Sequence, residues 1–294
     1  MNIKKHVYNY VRRRSLMEGI TEEGTPDSKY YAFDWDDNLM YMPTQIVVLT
    51  ENEEEVGMST EDFADHRQQI GVEPFNYKGT VVVGYAPMPF RYFKEEGDKR
   101  FIIDSMTAPV GPAWNDFIEC INGGSIFSII TARGHNPETL KEAVRNLIIS
   151  NKNGIDNKRL IGNLKKYESL VKNIKEQVDI TDSDYSGKDL IERYLDRCKF
   201  YPVTFGEGSA ANPEELKIKA MREFINYCKV VANEIVHKPG KFKNDVANHE
   251  IDPTIGFSDD DPRNIDKMKD FLEKEYEKSP VRLYLTKGGE KKEV

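Results

Sequence analysis

The sequence predicts an α/β fold in which a Rossmann-like, mostly parallel sheet is flanked by helices. Three observations support this prediction. Short strand-type runs alternate with amphipathic helices, which favours parallel strands joined by right-handed crossovers. Several strands are followed directly by acidic or polar residues. The length, 294 residues, suits one large domain or a core with an inserted subdomain.

The strands of the core are predicted from apolar or β-branched runs that turn-forming residues follow. They are Tyr30 to Phe33, Ser125 to Ile130, Lys199 to Phe205, Thr254 to Phe257 and Val281 to Leu285. Helices are predicted where apolar residues recur at three- and four-residue spacing after Pro or Asn. They begin near Pro112, at Asn136-Pro137, at Asn212-Pro213 and at Pro262.

Residues 42–110 are predicted to form an inserted, β-containing cap subdomain between two parts of the core, 30–41 and 111–286. The runs Gln45 to Leu49 and Thr80 to Val83 are β-rich, and Glu95 to Asp98 is typical of a hairpin turn. Residues 1–29 are assigned to an N-terminal extension and 287–294 to a disordered tail. The polar, mostly helical pattern of residues 151–197 is assigned no role.

Composition argues against three classes of protein. A formal net charge of −8 disfavours a large non-specific nucleic-acid surface, because such binding gains its energy from cations that displace counterions. No apolar run is long enough to span a membrane, so no membrane partner is expected. The three cysteines form no CxxC pair, and we expect a reducing, cytoplasmic location rather than a disulfide scaffold. The oligomeric state is not indicated.

Four polar motifs follow the ends of predicted strands or open a helix. In an open α/β sheet the carboxyl ends of the strands face one crevice, so residues far apart in sequence can meet there. The candidate site residues are Asp34, Asp36, Thr131, Arg133, Lys217, Asp259 and Asp260. Each motif alone is weak, since acidic runs are usually turns or helix caps; the order and placement of all four carry the argument.

These residue types indicate phosphoryl transfer. A carboxylate can attack a phosphate monoester only if the negative charge is neutralised and the geometry is fixed. Mg²⁺ prefers carboxylates, water and phosphate oxygens as ligands. Lys217 could add a positive charge, and the Thr131 hydroxyl could donate to a phosphate oxygen. Asp36 could protonate the leaving oxygen and then activate water, while Asp34 forms a covalent intermediate.

The order of the motifs resembles the haloacid dehalogenase-like (HAD) hydrolase superfamily. Thr131-Ala132-Arg133 and the Asp-Asp-x-Pro-x-Asn string that begins at Asp259 are similar to phosphatase members, including viral ones. The matching stretches are Tyr31 to Leu39, Ile129 to Thr131, Pro213 to Lys217 and Gly256 to Asp260. One departure is Asn38, which stands where the family usually has Thr or Val.

The resemblance implies that Asp34 is the nucleophile and Asp36 the general acid and base. It implies Mg²⁺ bound by Asp34, the backbone carbonyl of Asp36 and Asp259, with Asp260 beside it. Dehalogenases generally lack the second Asp, so Asp36 favours a phosphatase.

The same resemblance implies that Thr131, Arg133 and Lys217 bind the substrate. Lys219 could replace Lys217 in this role, but the Pro-Glu-Glu-x-Lys context favours Lys217. Within the insertion, four residues are possible substrate contacts, although ordinary surface is the preferred interpretation. They are Tyr77, Arg91, Tyr92 and Lys94.

The sequence therefore predicts a Mg²⁺-dependent phosphomonoester hydrolase that acts through an aspartyl-phosphate on a phosphorylated small molecule. One alternative is a phosphatase of nucleotides or nucleic-acid ends. Another is a non-catalytic metal- or phosphate-binding module on the same fold. A receiver domain also uses clustered Asp, Thr and Lys, but the distance from Asp34 to Asp259 is too long for so compact a module.

Overall fold

The computed structural model describes residues 19–20, 26–27, 29–165, 186–206, 212–236, 253–276 and 278–294. In chain order the described strands are β1 (Gly19–Ile20), β2 (Pro26–Asp27), β3 (Lys29–Phe33), β4 (Ile46–Thr50), β5 (Glu55–Met58), β6 (Phe75–Tyr77), β7 (Thr80–Tyr85), β8 (Phe127–Thr131), β9 (Lys199–Pro202), β10 (Thr254–Asp259), β11 (Val281–Leu285) and β12 (Lys292–Glu293). The described α-helices are α1 (Thr60–His66), α2 (Asp98–Thr107), α3 (Trp114–Gly123), α4 (Pro137–Ile149), α5 (157–165), α6 (Gly187–Arg197), α7 (Pro213–Val236) and α8 (Pro262–Glu275).

The main sheet has six strands in the order β12-β11-β10-β3-β8-β9, and all are parallel except β12. The predicted α/β class with a mostly parallel sheet is confirmed. The chain runs outward from β3 through β8 to β9 and then returns to β10 on the other side of β3. The strand order therefore reverses between β3 and β10, which is where open α/β sheets form a crevice for ligands.

Helices cover both faces of this sheet because its central strand is apolar on both sides. Successive side chains of a strand point to opposite faces. Phe33 and Tyr31 belong to the apolar cluster beneath α3, α4 and α6, whereas Tyr30 and Ala32 belong to the cluster beneath α7 and α8. The two faces thus bury separate halves of the core and hold β3 in the middle.

The predicted helix starts at Asn136, Asn212 and Asp261 are confirmed. The Asn136 side chain accepts from the backbone N–H of Glu138, and the Asp261 side chain accepts from that of Arg263. The Asn212 side chain accepts from the N–H of Glu214 in the same way. In each case Pro follows as the first helical residue, where its missing N–H costs no hydrogen bond.

A second sheet lies in the chain between β3 and β8, within the predicted insertion. It is antiparallel, with the order β5-β4-β7-β6. It has its own small apolar cluster, which contains Val48, Met58, Ile70, Tyr77 and Val82. The two β-rich runs of the sequence, 45–49 and 80–83, correspond to β4 and β7.

The predicted hairpin turn at Glu95 to Asp98 is wrong. The structure has two 3₁₀ turns, Arg91–Phe93 and Glu95–Gly97, followed directly by α2. The buried residues that follow are Phe101, Asp104, Ser105 and Ala108. Their spacing of three and four residues is that of a helix. The short apolar run from Phe101 to Ile103 resembles a strand, which is why a hairpin was predicted.

The two ends of the chain also bear on the predictions. Residues 287–294, predicted to be a disordered tail, instead form a 3₁₀ turn at Lys287–Gly289 and then β12, which pairs with β11. Most of the predicted extension 1–29 lies outside the described residues, and so do residues 166–185 of the segment 151–197. No helix within the described ranges has the length and apolar character that a membrane span requires.

Candidate functional site

Three carboxylates meet where the strand order reverses. Asp34 is the first residue after β3, and its backbone N–H donates to the Ser258 carbonyl on β10 at 2.9 Å. Asp259 ends β10, and Asp260 follows it. Asp34, Asp259 and Asp260 each offer one carboxylate oxygen within 4.8 Å of the others. The register of β3 and β10 therefore brings together acidic residues that the sequence separates widely.

Lys217 from α7 is the cation of this cluster. It is only 2% exposed, and its Nζ donates to Asp259 Oδ2 at 2.7 Å and lies 3.0 Å from Asp34 Oδ1. Lys219, the alternative lysine of the sequence analysis, is exposed to solvent. We call Asp34, Asp259, Asp260 and Lys217 the acidic centre.

The acidic centre holds more negative than positive charge, and the pKa values reflect this. Burial raises the pKa of Asp34 to about 8; Lys217 opposes the shift, while Asp259 and Asp36 add to it. Burial, Asp259 and Asp34 also hold the pKa of Asp260 well above its ordinary value. Burial disfavours the Lys217 ammonium, but Asp259 and Asp34 outweigh it and raise the Lys217 pKa.

One buried oxygen of the acidic centre has a single, shared donor. Among the described residues, Asp34 Oδ1 is approached only by the Lys217 ammonium, which lies 3.0 Å away and also donates to Asp259. Asp259 Oδ1, by contrast, accepts from the Asn264 side chain at 2.9 Å and from the Asp261 backbone at 3.0 Å. A buried carboxylate oxygen with so few donors is costly. An all-oxygen donor set with such an opening fits a hard divalent cation.

Asn38 fixes the backbone around Asp34. Its side chain is fully buried, donates to the Asp34 carbonyl at 2.8 Å and to Ser258 Oγ at 3.0 Å, and accepts from Thr286 Oγ1 at 2.8 Å. These bonds connect the loop after β3 to β10 and to the residue that follows β11. The Asn38 side chain therefore makes three hydrogen bonds, whereas Thr or Val at this position would make fewer or none.

The Asp36 carboxylate is paired with Arg133. Arg133 Nε and Nη2 donate to its two oxygens at 2.8 and 2.6 Å, and Nη2 also donates to Thr44 Oγ1 at 3.0 Å. The guanidinium is 1% exposed and lies between the rings of Phe93 and Phe101. The structure thus brings the Asp36 side chain to Arg133 rather than into the carboxylate triad, and it occupies the donors of Arg133 within the protein.

His135 and Asp98 complete this network. His135 Nε2 lies 3.0 Å from Arg133 Nη1, which can only donate, so Nε2 accepts and Nδ1 carries the proton that faces Asp98 Oδ1 at 2.8 Å. Burial and Arg133 lower the pKa of His135, in keeping with a neutral ring. Thr139 Oγ1 donates to Asp98 Oδ2 at 2.8 Å. We call Arg133, Asp36, Thr44 and His135 the arginine anchor.

His135 and Asp98 were not predicted as site residues. His135 could have been predicted, because it is a polar ring in the loop that follows β8, and such strand-end loops often carry site residues. Asp98 could not, because its surroundings were interpreted as a hairpin turn. Thr131, the last residue of β8, is 1% exposed and lies at the same edge of the sheet as Asp34.

A cavity of about 340 Å³ opens between the main sheet and the inserted segment. Asp34, Asp36, Thr131, Arg133, Lys217 and Asp260 line its polar end. Ile46, Phe63, Phe90 and Phe93 line its apolar side. The structure therefore collects six of the seven candidate residues around one space; Asp259 lies directly behind them, bonded to Lys217.

The four possible substrate contacts of the insertion divide clearly. Lys94 lines the cavity. The other three lie off its lining: the Tyr77 hydroxyl donates to Asp62, Arg91 pairs with Glu55, and Tyr92 is 51% exposed. The contacts and exposure of those three residues are those of ordinary surface or structural residues.

Comparison of the chain with protein-family models, with curated proteins and with solved structures finds no match. The functional argument therefore rests on the chemistry and geometry of the site itself.

Proposed function

We propose that this chain is a Mg²⁺-dependent phosphomonoester hydrolase, with the HAD-like arrangement that its motifs resemble. The observation that carries the proposal is the cluster of Asp34, Asp259 and Asp260 carboxylates beside the buried Lys217, at the edge of a ligand-sized cavity. In this proposal the main sheet is a Rossmann-like core, and the inserted antiparallel sheet is a cap over the active site.

Asp34 acts as the nucleophile in this proposal. One of its carboxylate oxygens forms a bond to phosphorus, the bond from phosphorus to the leaving oxygen breaks, and the phosphoryl group is carried as an aspartyl-phosphate. Lys217, buried against Asp34 and Asp259, offsets the negative charge that gathers when a phosphate dianion enters. The Thr131 hydroxyl at the cavity wall is available to donate to a phosphate oxygen.

Both oxygens of Asp36 accept from Arg133, so Asp36 must leave that pairing as the substrate binds and take up a proton from solvent. It then gives this proton to the leaving oxygen and later takes one from the water that attacks the aspartyl-phosphate and releases inorganic phosphate. Arg133 keeps the carboxylate of Asp36 oriented until a substrate is present.

Asp34, Asp259 and Asp260 would hold the cation, with the backbone carbonyl of Asp36 as a further ligand. Mg²⁺ bound there supplies positive charge that lets two anions, carboxylate and phosphate, approach each other. The buried oxygen atoms that the chain provides are of the hard type that this cation requires.

The test is a panel of phosphate esters, with p-nitrophenyl phosphate, sugar phosphates and nucleotides, assayed for phosphate release with Mg²⁺ and with EDTA. We expect release that depends on Mg²⁺ and disappears with EDTA. Lys219→Met serves as a matched control for Lys217→Met, because only Lys217 reaches the carboxylates. Mg²⁺ binding without release from any ester would overturn the proposal in favour of a non-catalytic binding module.

A further inference from the structure

We infer that the substrates are nucleoside phosphates, whose planar base lies against an aromatic wall of the cavity. This inference rests on the proposed function, because it names the substrate class of the same site. The aromatic wall consists of Phe63, Phe90 and Phe93, all contributed by the inserted segment. Phe90 is the ring it offers to a base, because Phe93 is buried and lies against the Arg133 guanidinium. Sugar phosphates and other esters without a ring of this kind would leave that wall uncovered.

The aromatic wall is a connected surface rather than three separate rings. Phe90 lies edge-on to Phe63 at 5.6 Å and to Phe93 at 6.4 Å between ring centroids. Tyr85 supports it from behind, 6.1 Å from Phe90 and 6.4 Å from Phe63. Such mutual contacts fix the orientation of the rings, so that a planar ligand meets a prepared surface.

Phe90 remains partly open to solvent at the cavity. It is 37% exposed, although Phe93 beside it is buried. An exposed ring grouped with other apolar side chains in a concavity is typical of ligand sites. A cavity of about 340 Å³ is near the lower end of ligand sites, which span about 300–1,000 Å³, and this size suits one nucleoside unit, either free or at the end of a strand.

The charges at the cavity mouth favour a ligand with a further anionic group. Arg67 pairs with Glu214, and Arg263 pairs with Asp261 at 2.9 Å, so both arginines are balanced. Lys94 also lines the cavity, is exposed, and has no ion pair with any residue in the described ranges. Its ammonium is therefore free for a second phosphate, as in a nucleoside bisphosphate or the next linkage of an oligonucleotide.

The decisive comparison is AMP against ribose 5-phosphate, because the reacting phosphate and the ribose are identical and only the base differs. Stacking of a base on an aromatic side chain is worth about 1–3 kcal/mol, which corresponds to a preference of about 5- to 150-fold. We expect kcat/KM for AMP to exceed that for ribose 5-phosphate within this range.

Variants test whether the wall causes the preference. Phe90→Ala should reduce the ratio of the two kcat/KM values toward one. Phe90→Leu should give a ratio between those of Phe90→Ala and the unmodified protein, since Leu is apolar but not planar. Tyr92→Ala is the matched control, because Tyr92 is an exposed aromatic residue two positions away that does not line the cavity. It should leave the ratio as it is.

A second arm distinguishes the two sources of a nucleoside phosphate. Free 3′- and 5′-nucleotides are compared with short oligonucleotides that end in a 3′- or 5′-phosphate, and Lys94→Gln should weaken turnover of oligonucleotides more than that of mononucleotides. Faster turnover of either group supports nucleoside phosphates as the substrate class, and the preferred group shows whether they are free nucleotides or strand ends.

Failures of the inference and of the proposed function differ in outcome. Hydrolysis of both AMP and ribose 5-phosphate with equal kcat/KM would overturn the aromatic-wall inference and keep the phosphatase. If no ester is hydrolysed, calorimetric binding of AMP and ribose 5-phosphate to the unmodified protein with Mg²⁺ still decides. Tighter AMP binding that Phe90→Ala removes supports the wall, and equal or undetectable binding overturns it.

Discussion

The acidic centre and the arginine anchor are neighbours, and each surrounds one buried cation with polar partners. In the arginine anchor every partner accepts a hydrogen bond from Arg133. These acceptors are both oxygens of Asp36, the hydroxyl of Thr44 and one ring nitrogen of His135. In the acidic centre three carboxylates lie around one ammonium, that of Lys217, which contacts only Asp34 and Asp259.

The difference separates two uses of buried charge. A fully matched network stabilises one arrangement of the chain, and removal of one member leaves the others uncompensated. A cluster with more negative than positive charge raises the free energy of the folded protein until a cation binds, because one ammonium cannot offset the lost hydration and mutual repulsion of three carboxylates. Substitutions should therefore have opposite effects on stability in the two regions.

The largest effect is expected from Asp34→Asn. If Asp34 is the nucleophile, as proposed, its loss should lower kcat by more than about 10⁴-fold, as removal of a catalytic nucleophile does elsewhere. Thermal unfolding at pH 8.5 should show an equal or higher Tm than the unmodified protein. The sign follows from the raised pKa of Asp34, about 8: the unfolded chain loses this proton near its ordinary pKa, so stability falls as pH rises toward 8, the loss is complete at pH 8.5, and Asn carries no such cost.

Retained turnover in Asp34→Asn would sink the nucleophile assignment. A clear fall in Tm would instead show that the ionised acidic centre stabilises the fold, which contradicts the opposite effects expected for the two regions.

Arg133→Met should act in the reverse manner. It leaves the Asp36 carboxylate and the His135 ring without their buried partner, and we expect unfolding to become easier by about 3–5 kcal/mol. Urea denaturation measures this loss. The double variant Asp36→Asn/Arg133→Met should recover part of it, because the uncompensated carboxylate is gone, and a strictly additive cost in the double variant would contradict the pairing.

The smallest effect is expected from the cation itself. Mg²⁺ at 100 times its Kd should stabilise the protein by about 2.7 kcal/mol, visible as a rise in Tm. The pKa of Asp34 near 8 means that a proton competes with the cation below that pH, so apparent affinity should fall up to about tenfold per pH unit for each proton released.

Mg²⁺ titrations at pH 6, 7 and 8.5 would measure this dependence. Asp116→Asn is the control, since Asp116 pairs with Lys291 away from the acidic centre. An unchanged affinity across the three pH values would exclude Asp34 as a ligand that must lose a proton.

Local patterns in the sequence predicted most of the main sheet. Strands such as Phe127–Thr131 are short, mostly apolar runs, and the helices after Asn136 and Asp261 begin at short polar caps followed by Pro. These signals depend on neighbours within a few residues. The placement of Asp34 beside Asp259 followed from a general property of parallel sheets, because polar residues at the carboxyl ends of adjacent strands share one edge.

Side-chain partners could not be predicted in the same way. Asp36 and Arg133 follow neighbouring strands of the core, but a shared sheet edge does not show that the two side chains form an ion pair. The His135 ring faces Asp98 of the insertion, and this contact depends on how α2 packs against the loop after β8, which no periodicity in the sequence predicts. For the same reason Phe63 and Phe90 were not recognised as cavity residues, while Tyr92 beside them was considered.

Asn38 has a consequence for the order in which the molecule is assembled. Its amide joins the loop after β3 to Thr286, 248 positions later, through a hydrogen bond of 2.8 Å. Contacts of such sequence separation form late in folding, because a long loop must be closed before they return any free energy. During synthesis the loop after β3 therefore leaves the ribosome long before Thr286 does. The backbone that carries Asp34 is tied to β10 and to the end of β11 only after both strands have been made.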